Sequence, residues 1–501
     1  MSDPVSNSAC NPRPVTGRSL PAIASLLILA AALTGCVVGP NYVRPATPVA
    51  TRFTAIGEKH ASRAVYSSDA AQIEFWKQFD DPILDQLVGE ALEANYDLRV
   101  AVGRLVEARA LRIESELDLA PVVTASGGYT KQRLPAADDP FGVPYELNLY
   151  DDGFDATWEL DFFGGVRRSV EARTAELQGE VADLHDAQVS LIAEVARNYF
   201  ELRGEQSELA VARANVVNQQ QVLALTQAEL SAGGGTELDV ARAQAQLSST
   251  LSTIGPLEAS VSRSMHRLSV LAGREPDAFD ALLSAPHELP PLPAIVPVGT
   301  PEELLRRRPD IRAAERNLAA STDLVGVAVA NLFPKVTFTG SFGYAAGDLA
   351  DFGSSAARSS NIGPGISWAA FDLGRVREQI AGARAGAVIA LDQYRGTVLD
   401  ALEQTEDALV THARDRDQLE HAQDAARASA IAARLAEVRY KAGFVGFLSV
   451  LDAERTELEA EDALARSRSE AATSLIAVYK ALGGGWETAP LPRYTDARVS
   501  R

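Results

Sequence analysis

The sequence predicts a mostly helical chain with a small membrane-type β part, duplicated in tandem and carrying two β-hairpins. Three observations predict it. The chain repeats itself internally, four short runs alternate apolar and polar residues, and long stretches rich in Ala, Leu, Glu, Arg and Gln contain no proline.

The repeat carries the most information. Asp97-Leu98-Arg99 recurs as Asp310-Ile311-Arg312, and Leu119, Pro121, Val123, Thr124 and Gly127 recur as Leu332, Pro334, Val336, Thr337 and Gly340, all 213 positions apart. Further on, the shift is 210: Trp158, Gly164, Val166 and Arg167 match Trp368, Gly374, Val376 and Arg377, and Gly233, Leu238 and Val240 match Gly443, Leu448 and Val450. A single change of three residues between Gly127 and Trp158 accounts for both offsets. A hairpin loop absorbs such a change at little entropic cost.

The elements follow in order. Arg13 and Arg18 precede the apolar run Ala22–Leu33, and Leu33-Thr34-Gly35-Cys36 comes next. That pattern reads as a secretory signal over 1–35, too short for a membrane span, with small residues before a cysteine as in a bacterial lipobox. Cys36 is therefore expected to be lipidated, and 36–75 to be an acylated extension. Val37, rather than Asp, follows it, which favours the outer membrane as destination. Cys10 leaves with the signal, so no intrachain disulfide is possible.

The first repeat occupies 76–275, with a hairpin at about 121–163 and a long helix at about 166–230. Asp80-Asp81-Pro82 offers a helix N-cap with proline in the first turn. A connector at 276–301 follows; Pro286 to Pro301 holds six prolines, which excludes regular structure. The second repeat covers 302–485, with a hairpin at about 334–372 and a long helix at about 376–441, and 486–501 is a tail.

In the hairpins, Phe154, Ala156, Trp158, Leu160 and Phe162 alternate with Gly153, Asp155, Thr157, Glu159 and Asp161. Ile362–Phe371 and Val336–Tyr344 alternate likewise, and Val122–Thr130 does so more weakly. About ten residues suffice for a tilted strand to cross a bilayer. A soluble sandwich would look the same locally, but two hairpins are too few for one, and aromatic residues recur on the apolar face. Four strands cannot close a membrane barrel, whose smallest examples use about eight. Several chains must then share one barrel; composition leaves two and three copies both open.

Between Val166 and Leu230 there is no proline, and a helix of that length would span roughly 100 Å. Val170, Leu177, Leu184 and Leu191, then Leu202, Leu209, Val216, Leu223 and Leu230, keep a seven-residue stride with one four-residue stutter. Gly164-Gly165 and Gly374 mark the strand-to-helix changes, and Gly255-Pro256 is expected to bend the partner helix. A plain stalk would show the same stride; the direct junction of helix and hairpin favours a tunnel.

These landmarks resemble the TolC-like outer-membrane factors, in particular their OprM/NodT lipoprotein branch. The matching stretches are Gly35-Cys36-Val37-Val38-Gly39-Pro40-Asn41-Tyr42, Trp76-Lys77-Gln78-Phe79, Trp158-Glu159-Leu160-Asp161, Gly235-Thr236-Glu237-Leu238-Asp239-Val240, Arg307-Arg308-Pro309-Asp310-Ile311-Arg312 and Asn331-Leu332-Phe333-Pro334. The resemblance implies a TolC-like α/β-barrel: a homotrimer sharing a twelve-stranded barrel that continues into a periplasmic helical barrel. It also implies a periplasmic adaptor (membrane fusion) protein, an inner-membrane pump of the resistance-nodulation-division type, and contact with outer-membrane lipid.

By the same resemblance, the gate maps onto Leu448, Asp452 and Arg455. Tip and adaptor residues map onto Gly233, Thr236, Glu237, Asp239 and Gly443. An apolar ring resists wetting and a carboxylate ring favours cations; the plainer reading of Asp452 and Arg455 is a surface pair worth about 0.2–0.5 kcal/mol. Relatives often carry an acid in the tip turn where Val445 and Gly446 stand here. Asp155, Glu159 and Asp161 line the lumen or are solvated loop-end residues; both readings are open.

Other functions are disfavoured. The net charge of −20 argues against a nucleic-acid partner. His412 and His421 lack zinc-ligand spacing, and Gly233-Gly234-Gly235 runs into Thr-Glu rather than the Lys-Ser/Thr of a phosphate loop. No enzyme, metal or cofactor is expected beyond covalent lipid on Cys36. A passive efflux duct is the leading reading, with a protein-secretion exit channel and a poreless structural lipoprotein as alternatives.

Overall fold

The structure is a computed structural model that describes residues 37–54, 66–135 and 145–489. The expected signal segment, Cys36 and the tail from 490 onward lie outside the described residues. The first repeat supplies α1 (Pro82–Ala94), α2 (Tyr96–Leu117), β1 (Val122–Leu134), β2 (Tyr145–Leu160), α3 (Gly165–Ser231) and α4 (Glu237–Leu271). The second supplies α5 (Pro301–Arg307), α6 (Pro309–Ala330), β3 (Lys335–Ala346), β4 (Arg358–Ser367), α7 (Leu373–Lys441) and α8 (Phe447–Ala481). The order of types is the same in both halves.

The duplication extends to individual bonds. Trp158 donates its indole N–H to the Leu119 carbonyl at 2.9 Å, and Trp368 donates to the Leu332 carbonyl at 3.0 Å. Asn95 donates to the Leu271 carbonyl at 2.9 Å, while Arg308, at the matching position, donates to the Ala481 carbonyl at 2.9 Å. Gly233 and Gly443 end the long helices with φ of 74° each, and Gly273 and Gly483 end their partners with φ of 70° and 68°. Left-handed residues of this kind turn the following amides back onto the last helical carbonyls, as Gly234 does to Glu229 and Phe444 to Arg439, and glycine adopts the conformation without a Cβ penalty.

The chain divides into two compact units. The first holds the four strands, which form one antiparallel sheet in the order β1-β2-β3-β4. Cross-strand partners share a face. One face therefore gathers Val123, Ala125, Phe154, Ala156, Trp158, Leu160, Val336, Phe338, Phe342, Ile362 and Ile366. The other gathers Thr124, Ser126, Asp155, Thr157, Thr339, Ser341 and Asn361. The first hairpin is longer: Tyr145–Leu149 pair only with β1, because pairing of β2 with β3 stops at Tyr150 and Ala346. The three residues separating the two repeat offsets fall in this hairpin.

The second unit holds the main apolar core. Asp81 caps α1 by accepting from the Ile83 and Leu84 amides, with Pro82 at the first helical position. Phe75 stacks on Tyr479 with ring centroids 4.8 Å apart, and Phe79 meets Phe200 edge-on at 4.8 Å. Around them, Leu184, Ile192 and Leu202 of α3 join Leu268 of α4 and Leu475 of α8, all fully buried. Each such side chain contributes roughly 1.5–3 kcal/mol by leaving water. The seven-residue stride of α3 is buried from Leu184 to Val216, whereas Leu177, Leu223 and Leu230 are only half-buried.

One local expectation needs correction. Gly374 sits inside the first turn of α7 and needs no positive φ, because that helix starts one residue before it. Only Gly164, with φ of 79°, uses the backbone freedom expected of both junctions. The helix containing Gly255-Pro256, where a bend is expected, is continuous from Glu237 to Leu271, so the hydrogen bond lost at Pro256 does not end α4.

His412 is fully buried between α7 and α8; its Nδ1 lies 3.2 Å from the Ser474 hydroxyl, and burial pushes its pKa down to about 4. The unfolded chain therefore binds the extra proton first as pH falls below about 6.5. Stability from this site is complete above that value and declines toward pH 4, by about 2 kcal/mol between pH 7 and pH 5. Thermal melts of detergent-purified protein should show a lower midpoint at pH 5 than at pH 7, and His412→Gln should reduce that difference.

Candidate functional site

The polar face of the sheet carries two of the residues expected to line a lumen. Asp155 and Glu159 project from the same side of β2, and Asp155 accepts a hydrogen bond from the Ser126 hydroxyl at 3.3 Å across the strand pair. Asp161 does something else. The strand ends at Leu160, and the Asp161 carboxylate accepts from the Val166 and Arg167 amides at 3.1 and 2.9 Å and from the Arg167 side chain at 3.1 Å. The acid thus caps α3, where an anion meets unpaired amides and the positive end of the helix dipole. Its carboxylate has a structural role where the strand gives way to the helix.

In the second unit, two helix-turn-helix tips are built on the same backbone and closed by different chemistry. At the first, Gly233 turns the chain and Thr236 caps α4. The Thr236 hydroxyl accepts from the Asp239 amide at 3.2 Å, and Asp239 accepts in return from the Thr236 amide at 3.2 Å. Glu237 adds a second acid to that first turn. At the second tip, Gly443 turns the chain but Gly446 has no side chain with which to cap α8. Apolar packing substitutes: Phe447 and Val450 are buried with Ala243 of the first tip, and Tyr440 lies over Phe447 at 5.6 Å. Tyr440 also donates a short hydrogen bond to Glu229 of α3, tying the two hairpins near their ends.

Leu448, Asp452 and Arg455 lie on the first three turns of α8 with their side chains exposed. Asp452 and Arg455 form an ion pair at 3.1 Å, and Arg455 also reaches Glu459 at 3.7 Å. Within one chain this is the exposed i,i+3 pair of the plainer reading, and Leu448 is more than half exposed.

Glu454, which the sequence alone does not single out, occupies a distinct environment. It borders a groove of 570 Å³ among α3, α7 and α8, together with Gln219, Arg434, Glu437, Lys441 and Glu457. Burial, followed by the Glu437 and Glu457 charges, pushes its carboxyl up to about 7. Gln219 is buried in the same groove with neither amide atom partnered. An acidic stripe at Glu454, Glu457 and Glu461 is visible in the sequence; the approach of Glu437 from α7 is not.

The outer membrane efflux protein family model matches residues 87–274 and 300–484, one match per repeat. The chain belongs to the outer membrane efflux protein family. Nodulation protein T of Rhizobium leguminosarum bv. trifolii is 30% identical over 460 residues, 91% of this chain and 95% of that protein. Outer membrane protein OprJ of Pseudomonas aeruginosa is 30% identical over 465 residues, 92% and 96% of the two chains. The solved outer-membrane channel OprN superposes with a TM-score of 0.83 at 44% identity, over 90% of this chain and all of that one. The fold is thus that of a TolC-like outer-membrane factor, and the family member described here is an outer-membrane channel component with periplasmic helices. Its family consists of channels, not enzymes.

Two outcomes follow for the tips. Thr236→Ala removes the reciprocal cap and should weaken the start of α4 by about 0.5–2 kcal/mol, read as faster amide exchange across 236–242 with the rest of α4 unchanged. Glu454 binds a proton more tightly folded than unfolded, so its contribution to packing is present at pH 5 and lost as pH rises through about 7. Amide exchange in 447–460 should accelerate between pH 6 and pH 8 beyond the intrinsic rate, and Glu454→Gln should remove that excess.

Proposed function

We propose that the chain is one protomer of a homotrimeric efflux duct: three four-stranded sheets close a twelve-stranded barrel in the outer membrane, and the long helices form its periplasmic wall. One observation carries the reading. The sheet has an apolar face and a polar face, and its outer strands β1 and β4 have no partner on their outer edges among the described residues. Lipid does not tolerate unpaired backbone groups, so further copies must satisfy them. The helices agree: Val388, Ile389, Leu399, Ile431, Leu435 and Val438 of α7 are each more than half exposed, an apolar series suited to a neighbouring copy.

On this reading Asp155 and Glu159 face the lumen, and Cys36 carries the lipid that holds the N-terminus at the membrane. Flow is passive, fed through a periplasmic adaptor by an inner-membrane pump of the resistance-nodulation-division type. Two Pseudomonas putida relatives are named for antibiotic and toluene efflux, which supports drugs and small apolar solutes as cargo. The tips form the gate, with Leu448 as its apolar constriction, Asp452 and Arg455 as its charged one, and Gly233, Thr236, Glu237, Asp239 and Gly443 shaping the ends met by the adaptor.

Planar-bilayer recordings test the pore and the gate together. Purified protein should conduct as a trimer, and Asp452→Ala or Arg455→Ala should raise the open probability several-fold. The melting temperature should hardly move, since the pair is worth about 0.2–0.5 kcal/mol within a protomer. No conductance would leave a structural lipoprotein. Conductance unaffected by either substitution would leave a surface ion pair. Deletion of the gene should sensitise cells to drugs; a changed secretome with unchanged susceptibility would instead indicate a protein-secretion exit.

A further inference from the structure

Arg168 sits in the first turns of α3, and its side chain is only 4% exposed. Every nitrogen of its guanidinium is engaged. One terminal nitrogen meets Glu171 at 2.8 Å and Asp323 of α6 at 3.2 Å, which balances the buried charge. The other two nitrogens turn toward the N-terminal segment: Nε donates to the Val38 carbonyl at 3.2 Å, and the second terminal nitrogen donates to the Asn41 side chain at 2.5 Å. The Val38 amide completes the clasp by donating to the Phe163 carbonyl at 3.1 Å.

The surrounding backbone is cut to the same fit. A Cβ on Gly39 (φ 93°) would lie 2.5 Å from the Gly326 Cα, and one on Gly164 would lie 2.8 Å from the Val37 Cα. A Cβ on Gly326 would strike the Arg168 side chain at 2.8 Å. Three glycines and one arginine thus hold residues 37–41 against the place where β2 gives way to α3, beside the stacked Phe163 and Phe333 rings, 4.6 Å apart. Cys36 immediately precedes Val37 in the sequence.

We propose that Arg168 is a positioning residue for the lipid anchor: by clasping residues 37–41 it fixes the exit of the acyl chains on Cys36 at the base of the sheet, next to Phe163 and Phe333. The two functions of the guanidinium are separable. The carboxylates of Glu171 and Asp323 need only a cation, whereas Val38 and Asn41 need the planar fork, which a lysine ammonium does not supply. This rests on acylation of Cys36, part of the reading above.

The test uses the full chain in the outer membrane, acylated in cells fed a diazirine-bearing fatty acid. After irradiation, mass spectrometry locates the cross-linked peptides, and the intact N-terminal peptide reports whether lipid is present. Wild type should cross-link within 159–167 and 331–337. Arg168→Lys and Asn41→Ala should stay acylated and trimeric, lose at least threefold of those cross-links, and exchange the Val38 amide at least tenfold faster. Wild-type cross-links elsewhere, or the same cross-links in both variants, would overturn the proposal. A wild-type terminus without lipid would overturn it too, and the mass of that peptide would assign the failure to acylation rather than to the clasp. Should Arg168→Lys not fold, Asn41→Ala decides alone, because it changes only an exposed side chain of the strap.

Discussion

Backbone hydrogen bonding in lipid is the constraint on which the rest of this structure depends. Among the described residues, a sheet of four strands satisfies its inner strands and leaves the outer edges of β1 and β4 open. Water would satisfy such edges, but hydrocarbon does not, and each bare group there costs several kcal/mol. The same logic governs the side chains. Phe154, Phe342 and Ile362 lie exposed on one face of an isolated chain, 60%, 51% and 75% respectively, and only a lipid surround makes that placement favourable.

Duplication gives the fold a regular solution to a second problem, that of ending long helices. Both long helices stop at a left-handed glycine, and both partner helices start within a few residues. From there the halves diverge. The first tip is held by the reciprocal Thr236–Asp239 hydrogen bonds, local and polar, whereas the second relies on burying Phe447 and Val450 against Ala243. Capping by a side chain fixes a helix start independently of its neighbours; apolar burial fixes it only while the neighbour is present. The second tip is thus the one whose local order depends on contact with the first, and it is also the one that carries Leu448, Asp452 and Arg455.

Charge burial follows the same division between local and distant partners. Asp161 neutralises the start of α3 from the preceding residues of its own chain segment. Arg168, a turn further on, is balanced by Asp323 from α6 and by acceptors in the N-terminal segment. Arg203 is fully buried in the other unit with its charge placed over the Tyr199 ring at 4.9 Å, and one terminal nitrogen donates both to the Gln206 side chain at 2.7 Å and to the Ala285 carbonyl at 2.9 Å. The π face offers partial negative charge to a guanidinium whose Nε and second terminal nitrogen are buried without a hydrogen-bond partner.

Periodicity and repetition are local or self-comparing properties, so the sequence by itself determined the helical class, the two hairpins, the apolar face of each strand and the exact correspondence of the Trp158 and Trp368 turns. It also located both tips, because Gly233 and Gly443 follow uninterrupted helical runs. It could not tell that Asp161 turns back to cap α3 rather than continuing the polar face, since one residue of strand fraying decides between them. Nor could it join Glu437 to Glu454, or Arg168 to Val38 and Asn41, because those partners are distant in sequence and meet only when separate helices and the N-terminal segment pack together. Tertiary structure alone decided which acids are exposed, which are buried beside other acids, and which arginine holds the terminus in place.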